Sequence, residues 1–383
     1  MTGDQIRTVA VIGAGDMGHG IAEVALLAGF RVFLRDIEKR FVDRGVQRIE
    51  ESLEKLLQKG KVTRDLYDRI HKELLHPCVD LGEAVGEADL VIEAIPEVLD
   101  LKKATFEEMD RLTPPHAILA SNTSTMRITE IARATGRPGK VLGLHYFNPA
   151  VLMKLVEVIK GEDTTEETMQ AGFDFCLRTG KVPVRVEKDV PGFIVNRVQA
   201  PGGVLLGCIL DHGIAQPEEV DALLKKLGLP MGPYELMDYT GIDINYHASR
   251  YFAQTVHPDF APARAIEEMV KAGLLGKKTG RGFYDWTGGR PSIDPAKATD
   301  KVDPMDLLAV QINEATKLME MGVCSAEDID KAIVNGTGNA IGPMAVARSQ
   351  EPKSLTQRLE RLAERFQKEI FRPTRTIREG LYR

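Results

Sequence analysis

Short apolar runs alternate with longer amphipathic stretches over the first 190 residues of the chain. The runs have the length of buried strands and cover residues 8–12, 31–35, 89–95, 118–120, 141–145 and 155–159. Helical periods occupy intervals between them, as at residues 19–28, 99–112 and 128–134. Alternating strands and helices predict an α/β, Rossmann-type, doubly wound parallel sheet that binds its ligands at the carboxyl ends of the strands.

A glycine-rich loop lies between the first predicted strand and the first predicted helix. Gly13, Gly15 and Gly18 would allow, in turn, a tight turn, close backbone approach to a pyrophosphate, and tight helix–strand packing. The next strand ends at Asp36, whose carboxylate can accept hydrogen bonds from both ribose hydroxyls and would repel a 2′-phosphate. The sequence therefore predicts an NAD site, which also includes Asp16 and Met17.

Polar residues follow two further strands, where a parallel sheet would present them at one edge. Glu97 follows one strand, and Ser121, Asn122, Thr123 and Ser124 end the next. Small polar residues in this position can also be simple turn formers. A charged stretch at residues 37–70 is typical of a solvated helical hairpin.

Residues 141–160 combine a strand ending at His145 with a second strand that carries a single charge, Glu157. A carboxylate inside an apolar strand is costly unless it is paired or hydrogen-bonded. Pairing with His145 would hold the imidazole in one tautomer and make it a stronger base. The alternative from this stretch alone is a core histidine with an unrelated surface glutamate.

From residue 193 onward the strand pattern ends and the chain becomes helical, after a linker-like Pro191-Gly192 pair. Residues 212–221 match residues 321–330, and the Met-Gly-Pro at 231–233 matches the Ile-Gly-Pro at 341–343. These matches predict an all-α domain in two tandem copies. The predicted domains are 1–190, 191–290 and 301–383. The stretch GTGNAIG at 336–342 is not a second nucleotide loop, because its spacing is wrong and no strand precedes it.

Composition narrows the class of protein. The chain has 383 residues, 43% hydrophobic and 28% charged, which suits a globular protein of two or three domains. A net charge of −6 without a basic block argues against nucleic acid as a partner. The cysteines are far apart and form no CxxC pair, so we expect no metal site and no disulfides. With no signal-peptide pattern and no apolar run of ~18 residues, we expect a cytoplasmic protein that is not membrane-bound.

Four motifs follow in order: SNTS at 121–124, GLHYFNP at 143–149, KLVEVI at 154–159 and KDVPGFIVNR at 188–197. In this order and spacing they resemble the 3-hydroxyacyl-CoA dehydrogenase family, including its 3-hydroxybutyryl-CoA members. The resemblance extends from residue 9 to about residue 286. It implies an NAD-binding domain followed by a helical domain. The chain departs from the family at Met126 and at residues 199–203, where QAPGG leads us to expect an interrupted helix after Asn196.

The resemblance also implies roles for individual residues. His145 would be the general acid/base with Glu157 as its partner, while Ser124 and Asn196 would hydrogen-bond and orient the substrate. Ser52 and Lys59 would contact coenzyme A. Further residues implied near the cofactor are Ala94, Glu97, Lys102, Asn122, Ser124 and Asn148.

These expectations favour a reversible, NAD-dependent oxidation of (S)-3-hydroxyacyl-CoA to 3-ketoacyl-CoA, a step of fatty-acid β-oxidation. One alternative is a dehydrogenase of free hydroxy acids or sugar acids, and another is a non-catalytic NAD-binding protein. The second helical copy could replace a partner subunit and form an intramolecular pseudo-dimer. Alternatively, it could enlarge the domain of a protein that still forms a homo-oligomer.

Overall fold

The computed structural model describes residues 2–382, which form two compact units. The first unit comprises the residues up to Val195 together with Gly322–Gly342. The second comprises Asn196–Met321 and the residues from Pro343 onward. The domain limits 1–190, 191–290 and 301–383 stay predictions. The two compact units differ from them because residues 322–342 belong to the first unit.

An eight-stranded sheet forms the centre of the first unit, with strand order β3-β2-β1-β4-β5-β6-β7-β8. The strands β1 to β6 are parallel, as predicted, but β7 is antiparallel to β6, and β8 is parallel to β7. The connection between β6 and β7 is too short for a parallel crossover, which requires a dozen or more residues. The strand bounds are β1 Thr8–Ile12, β2 Arg31–Arg35, β3 Leu75–Cys78, β4 Leu90–Glu93, β5 Ile118–Ser121, β6 Val141–Tyr146, β7 Leu155–Ile159 and β8 Val182–Val186.

Helices of the first unit pack on this sheet, and most residues of its central strands are accordingly buried and apolar. The change of direction in strand order lies between β1 and β4, where sheets of this kind bind ligands. Seven of the helices precede residue 195: α1 Gly18–Leu27, α2 Lys39–Gln58, α3 Arg64–Arg69, α4 Leu81–Val85, α5 Leu99–Leu112, α6 Ile128–Ala132 and α7 Glu166–Arg178.

The remaining helices begin with α8, which starts at the boundary between the units. Their bounds are α8 Val195–Asp211, α9 Pro217–Lys226, α10 Pro233–Thr240, α11 Ile242–Thr255, α12 Arg264–Lys271, α13 Pro304–Glu320, α14 Ala326–Thr337, α15 Pro343–Arg348, α16 Pro352–Phe366 and α17 Arg375–Arg378. All of them belong to the second unit except α14, which lies in the first. The second unit is therefore all-helical in its main elements, as predicted.

The expected interruption of the helix after Asn196 is wrong. Helix α8 continues unbroken through residues 199–203 and contains Pro201 in its interior. An interior proline removes one backbone hydrogen bond and costs ~3 kcal/mol. Here the apolar residues on both sides, such as Val198 and Leu205, are buried, and their packing outweighs the local preference.

The internal repeat has a structural explanation in both of its copies. Asp221 accepts hydrogen bonds from the backbone N–H groups of Tyr234 (3.0 Å) and Glu235 (2.8 Å) at the start of α10. A Cβ atom on Gly232 would overlap the Asp221 side chain, and one on Gly342 would overlap Asp330 in the same way. The repeated aspartate therefore requires the repeated glycine, since the aspartate occupies the space that a side chain at the glycine position would need.

Within the second unit, helices from the two predicted copies contact each other. The buried guanidinium of Arg197 on α8 lies 2.5 Å from the buried carboxylate of Glu314 on α13. The ring of His212 packs edge-on against Phe366 of α16. Across residues 2–382, none of the helices has both the length and the apolar character needed to cross a bilayer.

Helix α1 contains a buried acid, Glu23, whose Oε1 accepts a hydrogen bond from Ser52 Oγ of α2 (2.5 Å). Burial raises the pKa of Glu23 to about 7, and the Ser52 hydrogen bond opposes this rise only in part. In the unfolded chain a glutamate titrates near a pKa of about 4.3. The native state therefore holds this proton more tightly, and the resulting stability is lost as the pH rises through about 7.

We expect Glu23→Gln to remove this pH dependence. Between about pH 5 and about pH 8, the wild-type protein should lose about 1–3 kcal/mol of unfolding free energy relative to the variant. Urea denaturation at both pH values measures this difference. The matched control is Glu54→Gln, an exposed position on α2, which should retain the wild-type dependence. If the unfolding free energies of the wild type and Glu23→Gln changed by the same amount between the two pH values, the raised pKa of Glu23 would be contradicted.

Candidate active site

The glycine-rich loop lies at the carboxyl end of β1, where its glycines are required by close approach. Gly13 has a positive φ of 105°, and a Cβ there would lie 2.5 Å from the carbonyl oxygen of Ala94. A Cβ on Gly18 would overlap the carbonyl oxygen of Gly13. Around Gly15, in contrast, the space within 4 Å of an added Cβ is open. The loop thus packs tightly against β4 and leaves one backbone face accessible, as a phosphate site requires.

Asp36 closes the other side of this loop. Its Oδ2 accepts a hydrogen bond from the backbone N–H of Ala14 (2.8 Å), and its Oδ1 accepts one from Ile37 (2.7 Å). Each oxygen keeps a further lone pair for a ligand hydroxyl. Open space at Gly15 and a carboxylate fixed beside the loop fit a dinucleotide whose ribose carries a 2′-hydroxyl without a phosphate. Asp16 and Met17 stand at the start of α1, with Asp16 exposed and paired to Arg48.

An ionic network lies at the end of β4, next to the loop, and its members Glu93 and Lys102 are buried. The Lys102 ammonium lies 2.6 Å from Glu93 Oε1 and 3.2 Å from Glu97 Oε2. Ser121 Oγ donates to the other oxygen of Glu93 (2.7 Å). Glu93 was not among the predicted site residues, although it is the single charge in the apolar run at 90–95, which is the same signal that identified Glu157.

Glu97 connects this network to the SNTS segment. It accepts hydrogen bonds from the Thr123 hydroxyl and from the backbone N–H of Ser124 (3.0 Å). Burial alone would raise the pKa of Glu97, but the charge of Lys102 and the hydrogen bonds from Thr123 and Ser124 outweigh burial and lower this pKa. Glu97 is therefore held as a carboxylate that positions Ser124.

His145 and Glu157 face each other on neighbouring strands. They are direct partners in the antiparallel register of β6 and β7, and Nδ1 of His145 lies 2.6 Å from Oε2 of Glu157. Both side chains are buried. Cross-strand neighbours in this register meet on the same face of the sheet, which explains the contact.

The second oxygen of Glu157 accepts two further hydrogen bonds from the linker after β8. The backbone N–H groups of Ile194 (3.0 Å) and Val195 (2.9 Å) both donate to Oε1. The imidazole is flanked by the rings of Phe147 and Phe193, with centroid distances of 4.5 and 5.7 Å. Phe193 has a positive φ of 52°, so the linker turns sharply beside the imidazole. Glu157 thus has polar contacts at both of its oxygens, which fix its orientation.

Two more residues support the loop at 147–154 and the end of β6. The buried ammonium of Lys181 donates to the carbonyl oxygens of Ala150 (2.5 Å) and Met153 (2.8 Å). Asn122 Oδ1 accepts a hydrogen bond from the backbone N–H of Tyr146 (2.8 Å). No sequence pattern singled out Lys181, because its partners are backbone atoms and only the tertiary structure places them.

The other predicted site residues are distributed as follows. Ala94 forms the wall behind Gly13, and Asn148 lies exposed in the loop after β6, before a cis Pro149. Ser52 is partly buried against Glu23, and Lys59 is exposed at the end of α2. Asn196 is the second residue of α8 and belongs to the second unit.

Comparison with known proteins covers nearly the whole chain. The family model for the 3-hydroxyacyl-CoA dehydrogenase NAD binding domain matches residues 8–190, and that for its C-terminal domain matches 192–286 and 306–381. The chain is 42% identical over 304 residues to 3-hydroxyadipyl-CoA dehydrogenase of Escherichia coli, which covers 78% of this chain and 63% of that relative. It is 41% identical over 280 residues to a probable 3-hydroxybutyryl-CoA dehydrogenase of Deinococcus radiodurans, covering 72% and 99%.

A solved structure gives the same result for the fold. The crystal structure of 3-hydroxybutyryl-CoA dehydrogenase from Escherichia coli matches with a TM-score of 0.90 at 32% identity and covers 98% of each chain. Sequence motifs, sheet topology and these matches agree, and the chain belongs to the 3-hydroxyacyl-CoA dehydrogenase family.

Proposed function

We propose that the chain catalyses the reversible, NAD-dependent oxidation of (S)-3-hydroxyacyl-CoA to 3-ketoacyl-CoA. The observation that carries the proposal is the buried His145–Glu157 pair, with Nδ1 and Oε2 2.6 Å apart. It lies on the sheet that also carries the dinucleotide loop, in a chain of this family. A structural NAD-binding protein would not need a histidine held in this way.

The geometry selects one tautomer of His145. Glu157 presents carboxylate oxygen to Nδ1, and its other oxygen already accepts two backbone hydrogen bonds. Nδ1 therefore donates its hydrogen, and Nε2 carries a free lone pair. In this proposal Nε2 takes the hydroxyl proton of the substrate, and Glu157 stabilises the imidazolium that forms. NAD would supply the hydride acceptor for the carbon that bears this hydroxyl.

Ser124 is proposed to hydrogen-bond the substrate oxygen, and Asn196 is proposed to orient the substrate. Support for Ser124 comes from Glu97, which accepts a hydrogen bond from the backbone N–H of Ser124 three residues after the end of β5. A donor at this position would stabilise negative charge on the oxygen during hydride transfer. Asn196 is proposed on the family motif alone.

The direct test is oxidation of NADH with acetoacetyl-CoA. Turnover with the thioester and none with free acetoacetate would support the proposal. Faster turnover with free keto acids would instead favour the dehydrogenase of free hydroxy acids or sugar acids. Absence of turnover with either, while NAD still binds, would leave only a structural NAD-binding role.

The tandem helical copies and their pseudo-dimer are also part of this proposal. Direct packing of α8 on α13, through the buried Arg197–Glu314 pair, supports a pairing of copies within one chain. The C-terminal family model also matches in two segments, one in each proposed copy.

Replacing His145 or Glu157 by glutamine should slow turnover by roughly 10²- to 10⁴-fold. In Glu157→Gln, the amide oxygen can still accept from Ile194 and Val195, so its NH₂ would face Nδ1 and move the ring proton to Nε2. Stopped-flow kinetics measure the rate, and titration with NADH measures cofactor affinity, which should be unchanged. If Glu157→Gln kept more than half of the wild-type rate, the tautomer argument would be wrong.

Asp36 should make the enzyme prefer NAD over NADP. We expect Asp36→Asn, which keeps the acceptor oxygen toward Ala14 and removes the charge, to narrow this preference by about tenfold, equivalent to ~1.4 kcal/mol. Asp36→Ala should also raise KM for NAD, because it removes the acceptor that holds the loop. The ratio of kcat/KM for the two cofactors is the measurement. Native activity that favours NADP would contradict the prediction.

Lys59 should bind the coenzyme A moiety without taking part in the chemistry. Lys59→Ala is expected to raise KM for the acyl-CoA and leave kcat nearly unchanged, with the effect shrinking at high salt. Lys72→Ala, an exposed lysine outside α2, is the matched control and should change neither constant. A large loss of kcat at constant KM in Lys59→Ala would assign this residue a different role.

A further inference from the structure

Helix α14 comes from the proposed second helical copy, yet it packs against the catalytic sheet. It contacts β7 and β8, and the backbone N–H of Glu187, next to β8, donates to the carbonyl oxygen of Val323 (2.8 Å). Its buried residues are Ile329, Ala332, Ile333 and Gly336. Their spacing of three, four and seven residues forms one stripe, as expected for a helix that buries a single face.

Gly336 is the last residue of this stripe and lies close to three side chains. A Cβ there would lie 2.7 Å from Leu155 Cδ2, 3.2 Å from Val195 Cγ2 and 3.5 Å from Phe147 Cε1. Glycine is the least favourable helix residue apart from proline. Its presence inside α14 therefore indicates that the helix must approach these three side chains closely.

All three neighbours of Gly336 are one step away from the His145–Glu157 pair. Leu155 begins the strand that carries Glu157, and Val195 donates its backbone N–H to Glu157 Oε1. The ring of Phe147 packs against the imidazole of His145, with centroids 4.5 Å apart. A displacement of α14 would thus reach both members of the pair through packed side chains.

The repeat provides an internal comparison. The residue that corresponds to Gly336 in the first copy is Leu227, directly after α9, with 64% of its surface exposed. A large side chain is tolerated where the equivalent position faces solvent. The glycine at 336 is therefore a property of the contact with the sheet and not of the repeated unit.

We propose that α14 is a positioning element of the catalytic pair, with Gly336 setting the distance between this helix and Leu155, Val195 and Phe147. The second copy then serves the reaction itself in addition to any role in self-association. This inference rests on the proposed role of His145 and Glu157. Gly336 is a positioning residue, since it would act through its neighbours without contact to substrate.

The test uses the full chain with Gly336→Ala and, as a matched control, Gly203→Ala in α8. Gly203 is also inside a helix, but a Cβ there meets no atom within 4 Å. We expect Gly336→Ala to lower kcat roughly tenfold, because sub-ångström misplacement of reacting groups is costly. KM for NAD should stay within twofold of the wild type, and the control should match the wild type throughout.

A compensating variant separates positioning from general destabilisation. Leu155→Val removes the Cδ2 atom that meets the new methyl group, so Gly336→Ala combined with Leu155→Val should regain most of the lost kcat. Recovery of kcat toward the wild-type value in the double variant supports the proposal. Unchanged kcat in Gly336→Ala, or no recovery in the double variant, overturns it. Wild-type activity with acetoacetyl-CoA, measured in parallel, tests the proposed function separately.

Discussion

The carboxylate of Glu157 is the point on which the candidate active site depends. It is buried in β7 and satisfied by Nδ1 of His145 and by two backbone N–H groups from the linker after β8. A buried carboxylate without such partners costs several kcal/mol. Strand pairing between β6 and β7 and the turn at Phe193 must therefore both form before this group is stable. The interaction that orients the proposed base is also one that holds the fold together.

Buried acids that accept backbone hydrogen bonds recur throughout the molecule. Glu93 accepts from Ile95, Asp189 accepts from Thr129, and Asp221 accepts from the first turn of α10. Each bond satisfies a backbone donor at a turn or helix start, where regular secondary structure leaves such groups unpaired. The same chemistry that shapes the site therefore also fixes connections far from it. The buried ammonium of Lys102 pairs with both Glu93 and Glu97 and compensates their negative charges at this end of the sheet.

The two proposed helical copies share what their fold requires and differ where their surroundings differ. The aspartate and glycine that share one space, Asp221 with Gly232 and Asp330 with Gly342, are retained in both. At the position of Gly336, in contrast, the first copy has the exposed Leu227. Internal constraints act equally on both copies, whereas an external contact constrains only the copy that makes it. Comparison of the proposed copies thus separates the residues that build a helical unit from those that adapt it to a neighbour.

Much of the fold and part of the candidate site could be predicted from sequence because the signals are local. Strand and helix periods located β1, β2, β6 and β7, and the glycine spacing located the dinucleotide loop. The single charges at His145 and Glu157 predicted a pair, since an isolated carboxylate in an apolar strand needs a partner. The direction of β7 follows from its short connection to β6, whereas the continuity of α8 through Pro201, the Glu93–Lys102 pair and the carbonyl contacts of Lys181 were decided by tertiary structure. These last three depend on contacts that form only when the chain packs, and so does the position of α14 on the sheet. Periodicity reports which face of an element is buried, whereas the identity of what covers that face is set only when the whole chain has packed.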